Sequence, residues 1–217
     1  MKFFPLTVID NFFEAPAYVA NLARTTKYLK KGKTFHPGVT SRKQIHELDE
    51  QLYNWTMMKI VSLFWDTDMH QVVWQGYSDF HKIEGNGGYA IHTDDKAFIL
   101  AGLVYLNEEP EPETGTTFYE LKKEHKFYKL SKEYLDTLSE HHAGLNVPDY
   151  DQTARLHRNK FDETMKVQSK FNRCVFYSPE VWHSATTYGD EDRYTLRFFV
   201  TNIRCQGQNY PLVRGFN

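Results

Sequence analysis

The sequence contains little cysteine, with only Cys174 and Cys205 among 217 residues. Neither belongs to a C-x-x-C pair, which argues against a thiolate zinc site, and two thiols cannot form the disulfide framework of a small secreted scaffold. The N-terminal residues 1–6 lack an apolar stretch of signal-peptide length. We therefore expect no secretory leader, and a reducing, cytoplasmic location.

The chain also lacks an excess of charge and a long apolar run. Lys plus Arg number 26 and Asp plus Glu number 28, so the formal net charge is −2. This balance provides no field for nucleic acid or an anionic membrane. The longest apolar run covers residues 97–106 and is too short to cross a bilayer. We expect a small-molecule or peptide partner, while the oligomeric state stays open.

What the sequence does contain is aromatic side chains and enough length for one core. Phe, Tyr and Trp make up 16% of the residues, a composition typical of sheet proteins with a large pocket. A chain of 217 residues favours a single domain, which we assign to residues 1–217. No internal repeat or low-complexity tract divides it.

Helical and extended patterns are segregated along the chain. Residues 1–69 carry two helical patterns, one from Pro16 to about residue 30 and one at about 44–65. The rest is mostly extended, apart from a polar stretch at 121–170 that we interpret as an insertion or lid with helices near 131–139 and 151–168. Strands are predicted at 6–10, 70–83, 89–92, 97–107, 115–120, 172–177, 182–186 and 193–203. The order predicts a mainly β (α+β) fold with the N-terminal helices packed on one sheet.

Of the ten histidines, His92 has the most suggestive context. It lies in His92-Thr93-Asp94, after a glycine-rich turn, at the end of an extended segment. Residues i and i+2 of a strand point to the same face, so His92 and Asp94 can converge on one ion. An imidazole beside a carboxylate suits a borderline metal such as Fe(II). Isolated histidines in polar surroundings are interpreted as solvent-exposed or structural, and His157 is interpreted as a surface residue.

A second candidate ligand, His183, lies in the apolar strand Val181-Trp182-His183-Ser184-Ala185. Ten residues later, alternation on the next strand places Arg193, Thr195 and Arg197 on one face. If that face is interior, its guanidinium groups need an anion, either a bound ligand or a distant Glu or Asp. Two histidines and one carboxylate on one face leave three metal positions open, as in the non-haem Fe(II) facial triad.

In this order the motifs resemble the 2-oxoglutarate/Fe(II)-dependent oxygenases, specifically their prolyl-4-hydroxylase-like branch, over roughly residues 74–201. The approach Gly87-Gly88-Tyr89-Ala90-Ile91-His92-Thr93-Asp94 is similar to that branch, as are Tyr105-Leu106-Asn107, Gly115-Thr116-Thr117-Phe118 and the spacing from His183 to Gly189 and Arg193. The resemblance implies a double-stranded β-helix (jelly-roll) core. It departs from compact members in the insertion at 121–170.

The resemblance also implies roles for individual residues. His92, Asp94 and His183 would bind Fe(II), and Arg193, with the hydroxyls of Tyr105 and Thr116, would bind 2-oxoglutarate. Dioxygen would take the last metal position, and the products would be a hydroxylated substrate, succinate and carbon dioxide. Tyr89, Trp182 and Arg197 are candidate substrate-pocket residues. Trp182 and Arg197 could equally be a packing residue and half of an ion pair.

The substrate is not specified by these motifs, because one fold serves many substrates. A peptidyl, prolyl-like group and an amino acid or small metabolite are both compatible with them. Two other classes of protein remain open: a cupin-like metalloenzyme of another reaction type, and a jelly-roll binding module without catalysis. The first would have no use for Arg193, and a complete set of three ligands argues against the second.

Overall fold

The structure of the protein is a computed structural model that describes residues 6–30, 37–63, 72–84, 90–187 and 189–205. The helices are α1 (Pro16–Thr25), α2 (Ile45–Leu48), α3 (Glu50–Ser62), α4 (Lys132–His142) and α5 (Tyr150–Arg158). The strands are β1 (Leu6–Ile9), β2 (Val39–Thr40), β3 (Val72–Ile83), β4 (Leu100–Tyr105), β5 (Gly115–Leu121), β6 (Phe161–Gln168), β7 (Cys174–Tyr177), β8 (Trp182–Ala185) and β9 (Arg193–Cys205).

The strands form two antiparallel sheets. The larger has the order β1-β7-β4-β9-β3-β2, and the smaller has the order β6-β5-β8. Neighbours in the sheets are distant in sequence, so long connections cross from one sheet to the other, as in a jelly roll. An isolated bridge between His92 and His183 adds a short extended segment beside β8. The mainly β architecture predicted from the sequence is confirmed.

The N-terminal helices pack on one face of the larger sheet. Phe12, Val19, Ala23 and Ile60 are buried against side chains of that sheet, namely Phe80, Phe176, Leu196 and Phe198. Alternation along β7 and β9 sends every second side chain to this helical layer and the intervening ones to the space between the sheets. The predicted support of one sheet by N-terminal helices is confirmed, and the opposite face of that sheet is left to line a cavity.

The predicted second helix is wrong in one respect, because it is interrupted. Asp49 has an extended backbone (φ −156°, ψ 97°), which separates α2 from α3. Its carboxylate accepts a hydrogen bond of 2.9 Å from the backbone N–H of Leu52. Asp49 thus caps α3, a role that aspartate fulfils better than it continues a helix. The spacing of apolar residues did not predict this break, because the same spacing continues through both helices.

The predicted helix at 151–168 is wrong in its second half. The helix α5 ends at Arg158, and residues 161–168 form β6. This strand pairs with β5, where Thr116 lies opposite Val167 and Leu121 opposite Phe161. Cross-strand pairing with a segment about forty residues away overrides the weak helical pattern, which a local reading cannot anticipate. The stretch between β5 and β6 therefore carries α4, α5 and a short 3₁₀ turn at Lys123–His125.

His157 is buried, contrary to the solvent-exposed role predicted for it. Its side chain is 3% exposed. Nε2 lies 2.9 Å from the carbonyl oxygen of Ile91, and Nδ1 lies 2.9 Å from the hydroxyl of Tyr128. The ring also stacks on Tyr134, with centroids 4.2 Å apart. Through His157, α5 is bonded to the backbone immediately before His92, so the helical stretch packs against the metal-ligand segment.

We expect His157→Ala to destabilise the protein. The substitution removes two buried hydrogen bonds and opens a cavity, which together cost about 2–3 kcal/mol. The melting temperature should fall by roughly 5–10 °C, measured by circular dichroism. His46→Ala, which truncates an exposed histidine, is the control and should melt like the unmodified protein. Equal melting temperatures for both variants would contradict the buried role.

Within the described residues, no helix is both long enough and apolar enough to cross a membrane.

Candidate metal centre

Three side chains with metal-binding atoms converge between the two sheets. The candidate ligand atoms of His92, Asp94 and His183 all lie within 4.8 Å of one another. Paired backbone hydrogen bonds of 2.9 Å in each direction join His92 to His183, and the N–H of Asp94 donates to the Pro179 carbonyl at 2.9 Å. The bridge between distant segments therefore holds the H-x-D pair opposite the histidine of β8.

The hydrogen bonds of the two imidazoles direct their Nε2 atoms toward the shared point. Nδ1 of His92 lies 2.9 Å from the carbonyl oxygen of Ala90, and Nδ1 of His183 lies 2.9 Å from that of Val181. A carbonyl only accepts, so both Nδ1 atoms carry a proton, and Nε2 is the atom of each ring that can offer a lone pair to a metal. Nε2 of His92 is 4.0 Å from Oδ1 of Asp94, and Nε2 of His183 is 3.8 Å from Oδ2.

The electrostatics of the site favour a neutral imidazole at His92, and one buried oxygen of Asp94 lacks a donor among the described residues. Burial, with the nearby His183, lowers the pKa of His92 to about 4, so the ring is neutral at pH 7 and able to ligate. Oδ2 of Asp94 is buried and has no hydrogen-bond partner in the part of the chain that the structure describes. Two imidazole nitrogens and one carboxylate on one face fit a divalent metal of borderline softness.

Arg193 supplies a buried positive charge in the same interior. Its side chain is 8% exposed, and its Nε has no hydrogen-bond partner among the described residues. The guanidinium carbon lies 5.3 Å from the ring centroid of Tyr105, whose hydroxyl is 2.7 Å from Oγ1 of Thr116. None of the described carboxylates forms an ion pair with Arg193. A buried cation that no described carboxylate neutralises fits an acidic ligand.

The turn before β9 determines where Arg193 enters the sheet. Gly189 has a φ of 69°, a left-handed conformation that glycine adopts without strain. The carboxylate of Glu111 accepts backbone hydrogen bonds from Asp190 at 2.8 Å and Glu191 at 2.6 Å. A Cβ on Gly189 would lie 2.3 Å from Oε1 of Glu111. Both the backbone conformation and the close approach of Glu111 therefore favour glycine at position 189, between His183 and Arg193.

One cavity of about 390 Å³ connects these features, and its walls include the three candidate ligands, Thr116 and Arg193. Arg197 lies further along β9 in the same cavity and forms a two-pronged ion pair with Asp79 on β3, with Nε–Oδ1 2.9 Å and Nη2–Oδ2 3.1 Å. Beyond it lies an aromatic wall, which we define as Tyr77, Phe98 and Phe199, with ring centroids 4.9–5.7 Å apart.

Six of the nine predicted site residues line this one cavity. His92, Asp94, His183, Arg193, Thr116 and Arg197 line the cavity, and Tyr105 contacts it through Arg193 and Thr116. Trp182 is the neighbour of His183 on β8, so it points to the opposite face, where its ring lies 4.9 Å from that of Phe161. Tyr89 lies outside the described residues.

Sequence reasoning missed Tyr177, Asp79 and the aromatic wall. The hydroxyl of Tyr177 is 3.1 Å from Nε2 of His183. Asp79 faces Arg197 because β3 and β9 pair in that register. No local signal reveals either contact: Asp79 and Arg197 lie on strands that are distant in sequence, and Tyr177 and His183, although six positions apart, lie on strands of different sheets. The alternation of β3 could have placed Tyr77 and Asp79 on one face, but not which face is interior.

Comparison with known proteins places the chain in a structural class. A model of a family of unknown function (DUF6445) matches residues 90–193, just under half of the chain. The matched segment contains all six residues predicted to bind metal or cosubstrate, from His92 to Arg193. No curated protein sequence matches the chain.

Solved structures resemble it over most of its length. A prolyl-4-hydroxylase from Pseudomonas putida is 12% identical, with a TM-score of 0.52 over 90% of this chain and 91% of that one. A Trichoplax adhaerens prolyl hydroxylase, solved with a hypoxia inducible factor peptide fragment, is 13% identical, with a TM-score of 0.54 over 90% and 83%. HygX from Streptomyces hygroscopicus, solved with nickel and 2-oxoglutarate, is 12% identical, with a TM-score of 0.54 over 91% and 83%.

The chain therefore has the double-stranded β-helix fold of the 2-oxoglutarate/Fe(II) oxygenases. The structures of the prolyl-4-hydroxylase-like branch share this fold. The fold-level resemblance predicted from the sequence is confirmed. At sequence identities of 12–13%, the resemblance to these structures shows the fold and nothing about activity.

Proposed function

We propose that the protein is an Fe(II)- and 2-oxoglutarate-dependent dioxygenase that hydroxylates its substrate. One observation carries the proposal: a cluster of two imidazoles and a carboxylate shares a cavity with a buried guanidinium that forms no ion pair with any described carboxylate. The cluster suits Fe(II) and the guanidinium suits a carboxylate, and 2-oxoglutarate is the ligand that needs both.

In this proposal His92, Asp94 and His183 hold Fe(II) through Nε2, carboxylate and Nε2 respectively. Arg193 binds the distal carboxylate of 2-oxoglutarate, and the hydrogen-bonded hydroxyls of Tyr105 and Thr116 fix its orientation. Bound Fe(II) and 2-oxoglutarate would activate dioxygen, the oxidant: one oxygen atom would enter the succinate formed by oxidative decarboxylation of 2-oxoglutarate, with release of carbon dioxide, and the other would enter a C–H bond of the substrate.

The remaining task of the chain is to orient the substrate and exclude water. The outer half of the cavity offers the Asp79–Arg197 ion pair and the aromatic wall, a combination that suits a substrate with an apolar body and a charged group. The stretch 122–160, part of the insertion or lid predicted at 121–170, is anchored beside His92 by His157 and contributes no side chain to the cavity wall. A lid role for this stretch stays a prediction.

A peptidyl group and a free amino acid or small metabolite are both candidate substrates. The Trichoplax adhaerens neighbour was solved with a peptide fragment, which supports a peptide. The cavity of about 390 Å³ must hold both the cosubstrate and the reacting group, which leaves space for a side chain or a small metabolite.

The proposal is tested by adding Fe(II) and then 2-oxoglutarate under anaerobic conditions. We expect a weak visible charge-transfer absorption that develops only when both are present. A substrate is then recognised by its stimulation of succinate release in a library of peptides and amino acids. Tight zinc binding with no response to 2-oxoglutarate would instead favour a metalloenzyme of another reaction type.

We expect oxygen insertion rather than halogenation. Asp94 provides a carboxylate at the metal, whereas the related halogenases have a small residue at this position, which leaves room for chloride. Turnover in chloride-containing buffer should therefore yield only oxygenated product by mass spectrometry. A product 34 mass units heavier than the substrate, with the isotope pattern of chlorine, would contradict this prediction.

A further inference from the structure

The hydroxyl of Tyr177 occupies a contact that a metal would take over. Tyr177 ends β7, is buried, and points between the sheets, where its ring packs at 5.3 Å from that of Phe118. Its hydroxyl lies 3.1 Å from Nε2 of His183. Because Nδ1 of His183 donates to the Val181 carbonyl, Nε2 accepts and the phenol donates.

A metal bound to Nε2 of His183 removes that acceptor. The same lone pair cannot serve both the metal and the phenol. No other hydrogen bond is made by the Tyr177 hydroxyl to the described residues. A buried hydroxyl without an acceptor costs about 1–3 kcal/mol, so the phenol must find a new acceptor close by.

An unsatisfied acceptor lies beside the same nitrogen. Oδ2 of Asp94 is buried, has no hydrogen-bond partner among the described residues, and is 3.8 Å from Nε2 of His183. A carboxylate that binds a metal through one oxygen leaves the other to accept a hydrogen bond, and such outer partners orient the ligand. The donor that loses its partner and the acceptor that lacks one are therefore neighbours.

We propose that Tyr177 is a positioning residue of the metal centre, whose phenol passes from His183 to the carboxylate of Asp94 when the metal binds. This inference rests on the proposed function, since it requires a metal at the three ligands. It assigns a role to a residue outside the metal- and cosubstrate-binding sets.

The sign of the change in metal affinity tests the inference. If the phenol moves to Asp94, Tyr177→Phe removes a charge-assisted bond from the loaded state and a weaker neutral bond from the metal-free state. Metal affinity should then fall by roughly 10-fold, within the range found for outer partners of metal ligands. If the phenol only competes with the metal, its removal should tighten binding instead.

The experiment is a titration of the full-length chain with Co(II), followed by visible absorption, with thermal melting of the metal-free protein as a check of folding. Tyr119→Phe is the matched control, since Tyr119 is also buried and its hydroxyl bonds to Ser184, next to His183, at 3.2 Å. We expect Tyr119→Phe to bind Co(II) like the unmodified protein, and Tyr177→Phe to bind it more weakly with an altered band shape.

Unchanged or tighter Co(II) binding by Tyr177→Phe would overturn the inference while leaving the proposed function standing. So would normal Co(II) binding combined with weaker 2-oxoglutarate binding to the anaerobic Fe(II) protein, because the phenol would then serve the cosubstrate. Failure of the unmodified protein to bind Co(II) would overturn both proposals.

Discussion

Asp94→Ala is expected to abolish succinate formation and to weaken Fe(II) binding. The substitution removes the only carboxylate of the three candidate ligands and leaves two neutral imidazoles, which hold a divalent cation poorly. The loss should exceed the roughly 10–100-fold effect of removing an outer partner of a ligand. Anaerobic titration with Fe(II) measures the affinity, and succinate release measures turnover.

The control for Asp94→Ala is Asp162→Ala, which removes an exposed carboxylate from β6. It should bind Fe(II) as the unmodified protein does, because the lost charge lies outside the three-ligand cluster. Equal losses in the two variants would mean that the metal is bound elsewhere. Melting curves of both metal-free proteins separate a lost ligand from a lost fold.

Arg193→Met is expected to raise the Michaelis constant for 2-oxoglutarate by roughly 30-fold or more. A buried two-pronged contact between guanidinium and carboxylate contributes about 2–4 kcal/mol, most of which is lost when one partner is removed, and about 1.4 kcal/mol corresponds to a factor of ten. Arg193 has no protein anion within the described residues, so the cosubstrate carboxylate is its natural partner.

Arg197→Met is the matched comparison, with the same substitution on the same strand face. Residues four apart in a strand are separated by roughly 13 Å, so the two arginines cannot bind one carboxylate equivalently. Arg197 is already paired with Asp79 at 2.9 Å. Its loss should leave 2-oxoglutarate affinity within a few-fold and reduce substrate turnover or stability. Anaerobic titrations of both variants with 2-oxoglutarate measure these affinities. If Arg197→Met lost 2-oxoglutarate binding and Arg193→Met kept it, the roles of the two arginines would be exchanged.

The sequence did not reveal which anionic group pairs with Arg193 and which with Arg197. Alternation placed Arg193 and Arg197 on one strand face and left open a bound ligand or a distant carboxylate for each. The register of β3 against β9 supplies Asp79 to Arg197 and only Ile83 opposite Arg193. A one-residue slip in that register would place a different side chain opposite each arginine. Neither strand alone encodes which distant strand it pairs with.

Local chemistry in the sequence determined the fold class and the three candidate ligands. Two-residue alternation defines a strand, and the H-x-D spacing places His92 and Asp94 on one face wherever that strand lies. The same local rules misjudged residues 159–168 and His157, because β6 exists through its pairing with β5 and His157 is buried through its bond to Ile91. Tertiary structure alone decided these, since burial and strand partnership depend on contacts between residues far apart in the chain. It alone also placed Tyr177 against His183, six positions along the chain but on a different sheet.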